Sequence, residues 1–211
     1  MSDRIRCDTG AMDGHAEGAG RGTGNDPLAA LLRGYDPQDS FESRDVDRVA
    51  ELVRTADDPW ARSTPLHVTG SALIVHPPSG EVLLRWHQRQ RAWLQVGGHA
   101  DPGERDPLAV ALREAREETG LADLRPWPDL GLRHVVIVPV LAGRGESAHE
   151  HADLRFVLAT SRPEAIVAEH QDAPLRWLTV SDAAQSITEA NLRETIARVQ
   201  QLLDDSRVGS G

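Results

Sequence analysis

Residues 97–121 read GGHADPGERDPLAVALREAREETGL, and the second half of that stretch predicts a helix with both ends marked. Asp106 can cap the N-terminus, and Pro107 falls at the first helical position, where a missing N–H costs nothing. Gly120 stands where a left-handed C-cap is wanted. Between them Leu108, Ala111, Leu112 and Ala115 form an apolar stripe at helical spacing. Glu114, Glu117 and Glu118 fall at i, i+3 and i+4, so their carboxylates project from neighbouring positions on one face.

Like charges at that spacing weaken an isolated helix by a few tenths of a kcal/mol per pair, and a cation offsets the repulsion. Oxygen ligands without thiols favour a hard ion, Mg²⁺ or Mn²⁺, over zinc. Arg113 beside them can hold a carboxylate in a bidentate fork and fix its rotamer. The plainer alternative for the helix alone is a solvated amphipathic surface rich in Glu and Arg.

The loop before the helix adds the decisive pattern. Gly98, five residues, Glu104, and then Arg113-Glu114-Ala115-Arg116-Glu117-Glu118-Thr119-Gly120-Leu121 resemble the Nudix hydrolase signature, G-x5-E-x7-R-E-U-x-E-E-x-G-U with U apolar. Eight residues rather than seven separate Glu104 from Arg113. The extra one is placed in the loop near Arg105 and Asp106, because within the helix it would rotate the glutamates by about 100°. That leaves open whether Glu104 still partners Arg113. The fragment Trp93-Leu94-Gln95-Val96-Gly97-Gly98-His99 is similar to a bacterial Nudix subgroup carrying this longer loop.

The resemblance implies an α+β fold, an α-β-α sandwich with a mixed sheet flanked by helices, here with extra N-terminal helices. It implies an enzyme that uses Mg²⁺, with Mn²⁺ as the alternative, and cleaves a diphosphate bond by water attack on phosphorus. The substrate would be a nucleoside diphosphate linked to another group, or a nucleoside triphosphate. Glu114, Glu117 and Glu118 become the metal ligands, with a carbonyl from the Gly97–Gly98 turn, taken as Gly98, as a further one. Arg113 becomes an orienting residue, and Gly97, Gly98, Glu104 and Gly120 shape the loop. The general base is left open among Glu114, Glu117 and the outside acids Glu150, Asp153 and Glu169. Isoprenoid diphosphate chemistry and non-catalytic nucleotide sensing are the alternative functions. The first would call for a cysteine in the pocket, and the only cysteine, Cys7, lies far from the motif.

A net charge of −10 argues against a nucleic-acid polymer or an anionic membrane as partner, leaving a small-molecule diphosphate. A single cysteine, no run of about 18 apolar residues and no signal-like segment set a cytoplasmic expectation. The chain has no lysine, which reads as genome bias.

Residues 1–26 are Gly-, Asp- and Ala-rich and read as a disordered leader. Residues 27–203 are expected to form one domain: a helical extension over 27–62, a core over 66–178 and C-terminal helices over 181–203, with 204–211 a fraying tail. In the extension, Leu28, Leu31 and Leu32 begin a short helix ended by Gly34, and Ser43 or Asp45 opens a second carrying Val46, Val49, Leu52 and Val53. These helices cover the core or form a homodimer surface. Strands are expected over 67–75, 81–86, 93–96, 135–140 and 154–159.

Alternation places His149, His151 and Asp153 on one side of a strand, with Glu150 opposite. They read as a transition-metal site, as a substrate-binding edge in which the imidazoles and Arg155 meet phosphate, or as the polar start of a strand. Glu169 precedes a strand ending near Trp177, in keeping with the Nudix pattern. Trp86, with Trp93, is a possible base-stacking residue, weighed against ordinary core packing.

Overall fold

The computed structural model describes residues 27–143, 145 and 147–208. The expected leader and Cys7 lie outside them, as do the last three residues of the tail.

Strand β1, Leu66–His76, is buried along nearly its whole length and organises an eight-stranded mixed sheet among the described residues. On one edge it runs parallel to β7, His149–Ala159, in a continuous register from Leu66↔Glu150 to Val75↔Ala159. Along its other edge it pairs antiparallel first with β4, Val96–His99, and then with β2, Glu81–His87. Strand β2 also pairs with β3, Ala92–Leu94, and β8, Leu175–Thr179. The far edge of β7 carries the two-residue β5, Arg125–Pro126, and β6, His134–Val140.

Alternation along β1 builds two cores from one strand, because successive side chains leave opposite faces. Val68, Ala72 and Ile74 pack with helices α1 (Pro27–Arg33), α2 (Ser40–Thr55) and α3 (Pro107–Thr119). Leu73 and Val75 pack with α4 (Val180–Ser186) and α5 (Ala190–Val208) through Ala183, Ile196, Val199 and Leu203. A sheet buried on both faces explains the nearly continuous apolar character of its middle strands. The expected sandwich of helices around a mixed sheet is the arrangement observed.

Helix α2 also closes a sheet edge. Glu42 accepts the Val135 amide at 3.1 Å and Asp45 accepts the Ile137 amide at 2.9 Å, both on the outer side of β6. Arg198 of α5 then grips Glu42 with two nitrogens, each at 2.9 Å. Tyr35 donates to the same carboxylate.

Three boundaries differ from the sequence reading. Helix α2 starts at Ser40 under an Asp39 cap, because the Asp39 side chain accepts the Phe41 and Glu42 amides. Helix α5 does not fray at Asp204 but continues to Val208, its polar end held by Gln200–Asp204 and Asp204–Arg207 pairs at helical spacing. The stretch expected as one strand leading to a glycine bend is two strands broken at Gln95, and Gly97 and Gly98 lie inside β4 opposite Ser71 and Gly70. A Cβ at Gly97 would fall 2.4 Å from the Ser71 Cβ, and its φ of +148° is one that L side chains rarely adopt, so close approach of strands and backbone conformation together exclude a side chain there.

Candidate active site

Helix α3 is where the sequence placed it: the Asp106 side chain accepts the Leu108 amide at 2.9 Å, and Gly120 closes the helix at φ +68°. It lies directly on β1, since a Cβ at Gly70 would sit 2.5 Å from the Pro107 carbonyl oxygen. With Val110, Ala111 and Ala115 buried against the sheet, the next helical face turns toward β4. There Glu118, 8% exposed, accepts the Gly97 amide at 3.1 Å and meets the Arg85 guanidinium at 3.1 Å. Glu114 sits over Gly98, where a Cβ would fall 2.5 Å from its Oε1. Glu117 is about half exposed at the outer margin.

Arg113 ties the cluster together. Its Nε and Nη2 fork onto Glu104 at 3.0–3.2 Å, and its Nη1 reaches Glu114 at 3.0 Å and Glu117 at 2.9 Å. Nη2 also donates to the His99 carbonyl at 2.8 Å, fastening α3 to the end of β4. Helix α3 begins at Pro107, and Glu104 in the loop before it pairs with Arg113 although eight residues separate the two.

Burial pushes the Glu118 carboxyl up to about 7, although Arg85 and the Gly97 amide pull the other way. Burial also raises Glu114, whereas the hydrogen bond from Arg113 lowers Glu104. Buried carboxylates that the neighbouring arginines only partly compensate are a donor set that a hard divalent cation fits. Beside them opens a cleft of ≈ 260 Å³ bounded by Arg85, Gln95, Gly97, Gly98, Glu118 and Asp153. Among the described residues, Arg85 Nε and Gln95 Oε1 are buried there without a hydrogen-bond partner. A buried donor and acceptor left unpaired at a cleft suit a polar ligand.

The other sequence-derived residues divide. His151, Asp153 and Arg155 line this cleft, and His149 lines a larger adjoining one of ≈ 1110 Å³. Arg155 does not offer a free guanidinium: it is buried and bonds Asp153 at 2.8 Å, Thr195 at 2.9 Å and Asn191 at 3.1 Å. Asp153 is held in turn by Thr69 and Gln95, both at 3.2 Å. Glu150 is drawn off to Arg48, and Glu169 stands near Arg85 at 3.9 Å. Trp86 meets Trp93 edge-on at 5.5 Å and bonds Gln88, and lines neither cleft. Arg85, Gln95, His67 and His99 went unnoticed in the sequence. The available signal was a polar residue inside an apolar strand, or next to the glycine pair.

The fold and this cluster define the class. The family model described as NUDIX domain matches residues 65–199, and the chain belongs to the Nudix family. A sequence relative, the "Probable DHNTP pyrophosphohydrolase" of Lactococcus lactis subsp. cremoris (strain MG1363), is 29% identical over 104 residues. That alignment takes in 49% of this chain and spans only 60% of the relative's length. Among solved structures, the Caenorhabditis elegans Ap4A hydrolase in a binary complex superposes with a TM-score of 0.54 at 20% identity. It covers 65% of this chain and 98% of its own, a likeness of fold.

Proposed function

We propose that this chain is a Mg²⁺-dependent pyrophosphohydrolase. It would split the diphosphate bond of a nucleoside triphosphate, or of a nucleoside diphosphate linked to another group, by water attack on phosphorus. The observation that carries this reading is the Arg113-centred cluster, with Glu114 and Glu118 held against the glycine pair beside a polar cleft. Glu114, Glu117 and Glu118 would hold the cation, with the Gly98 carbonyl a further oxygen. When bound, it would supply charge stabilisation for the phosphoryl oxygens.

The chain's own residues do the positioning. Arg113 fixes the carboxylate rotamers from behind and takes no proton. Arg85, with its unpaired buried Nε, is the cation facing the cleft and the group suited to a substrate phosphate oxygen. Glu169, near Arg85 and about 41% exposed, is the outside acid this reading takes as the base for an attacking water. Asp153 is committed to internal hydrogen bonds and Glu150 to Arg48. The net charge of −10 fits a small diphosphate handled by a few local arginines rather than a polymer. The same reading takes the chain to be cytoplasmic; among the described residues no helix is long and apolar enough to cross a membrane.

The test is a screen of the purified chain with Mg²⁺ against nucleoside triphosphates, dinucleoside polyphosphates, ADP-ribose, NADH and prenyl diphosphates. The relative's name adds dihydroneopterin triphosphate to the panel. Mg²⁺-dependent release is expected, with Glu117→Gln and Glu118→Gln each at least about a hundredfold slower. No turnover on any compound, or full activity in either variant, overturns the reading.

A further inference from the structure

Four of the nine histidines of this chain meet in one place. His67 comes from β1, His99 from the end of β4, and His149 and His151 from the start of β7. Five of the ring pairs have centroids 4.7–5.3 Å apart. The parallel register sets His67 beside His151, and the β1–β4 register brings His99 across from Thr69. Asp153, grouped with the two β7 histidines by alternation, is turned instead to Thr69, Gln95 and Arg155. The strand pairing supplies His67 and His99 in its place.

We propose that this imidazole cluster is a binding site for a first-row transition ion of the Zn²⁺ class, separate from the glutamates of α3. His67, His99 and His151 would be the ligands, and His149, whose Nε2 lies 3.1 Å from that of His151, stands next to them outside that group of three. The hydrogen bonds around the rings carry the argument. His67 Nδ1 lies 2.7 Å from the Thr64 carbonyl, and His149 Nδ1 lies 2.9 Å from the Ser147 carbonyl. A carbonyl can only accept, so both Nδ1 atoms bear the proton. In the neutral rings Nε2 is therefore a bare lone pair, and both Nε2 atoms point inward, at 3.0 Å from His99 Nε2 and 3.1 Å from His151 Nε2. A backbone carbonyl that fixes the tautomer and aims the free nitrogen is the usual support of a metal-bound histidine.

Distance agrees with that arrangement. One ligand nitrogen from each of His67, His99 and His151 lies within 4.8 Å of the others. Tetrahedral Zn²⁺ with bonds of about 2.0–2.1 Å needs them about 3.4 Å apart, a closure of up to about 1.4 Å. The rings line the ≈ 1110 Å³ cleft, which gives an ion a route in. All-nitrogen and all-oxygen donor sets sort Zn²⁺ from Mg²⁺, so the two sites need not compete.

Co²⁺ is the probe. The full chain, stripped with a chelator and kept in excess Mg²⁺ to occupy the carboxylates, is titrated with Co²⁺ and followed in the visible. One Co²⁺ per chain with a strong d–d band, displaced by one equivalent of Zn²⁺, is expected. His99→Gln and His151→Gln should each weaken binding by at least about a hundredfold, and Glu117→Gln should leave the band intact. No band, a band that survives both histidine variants, or one lost in Glu117→Gln overturns the proposal. If a histidine variant loses its far-UV circular dichroism, X-ray absorption at the Zn edge of the unsubstituted chain decides. Imidazole scattering supports the site, and an oxygen-dominated shell removes it.

Discussion

Gly98→Ala isolates the contact between β4 and the glutamate helix. The added Cβ would lie 2.5 Å from Glu114 Oε1, 2.6 Å from Cδ and 2.9 Å from Oε2, with no backbone atom among the three nearest. Ordinary contact starts near 3.4 Å, so the carboxylate must retreat by about 1 Å. Helix α3 cannot retreat with it, because it rests on the β1 backbone at Gly70. The Glu114 side chain must rotate and give up part of its 3.0 Å bond to Arg113 Nη1. An off-rotamer side chain costs about 0.5–1.5 kcal/mol. Weakening a charge-assisted hydrogen bond adds about 1 kcal/mol, for a total near 2 kcal/mol. At about 2–4 °C per kcal/mol for a chain of this size, the melting temperature falls by about 4–8 °C and the chain stays folded at 25 °C. Turnover should be affected more, because displacing the proposed metal ligand by about 1 Å would cost about a hundredfold. Gly34→Ala, whose nearest atoms are at 3.7 Å, serves as the control. The measurements are thermal melting and Mg²⁺-dependent turnover on the best substrate from the screen. A Gly98→Ala enzyme within twofold of the parent would refute the placement of Glu114.

Three further outcomes follow from the same geometry. Arg113→Lys replaces a fork that serves Glu104, Glu114, Glu117 and the His99 carbonyl with a single point charge; turnover should fall at least about tenfold, and parental kinetics would contradict the positioning role. Acid should destabilise the fold in two stages. His134, buried among Arg155, Arg198, Glu42 and Asp153, is held neutral by burial first and the arginines second, so its contribution is present above the unfolded value near 6.5 and lost as pH falls below it. Glu42 is also depressed: burial would raise it, but bonds from Arg198, Tyr35 and the Gln38 and Val135 amides prevail, and its contribution is lost below about pH 4.3. Melting followed from pH 8 to pH 3 should show both losses, and Glu42→Gln should remove the second at a cost of about 3 kcal/mol at neutral pH. Trp86→Ala should leave the Michaelis constant for every substrate unchanged, since its ring packs on Trp93 away from both clefts; a tenfold rise would restore the stacking reading.

Much of the site was legible because it is local. The caps of α3, its apolar stripe and the spacing of Glu114, Glu117 and Glu118 lie within a few helical turns, where sequence separation translates directly into direction. Placing the extra residue in the loop also followed from local geometry, since in the helix it would have turned the glutamates away from Gly97 and Gly98. What escaped notice depends on pairing between distant segments. The pattern of β2 alone does not say that Arg85 reaches Glu118, and nothing near residue 67 marks it as a neighbour of residue 151. That juxtaposition comes from the parallel β1–β7 register. The place of the glycine pair was missed for the same reason: Gly97 does take a positive φ, but it does so inside a strand lying on Ser71 and not in a turn.

The way α2 meets β6 bears on how copies of this chain can associate. An outermost strand with open amides invites a neighbouring molecule to dock and lengthen the sheet. Here the carboxylates of Glu42 and Asp45 already occupy two of those amides, and Arg198 anchors Glu42 from across the domain. Self-association by strand addition at that border is therefore closed while the helix stays seated. Trimming away the N-terminal helices would turn a quiet border into an adhesive one.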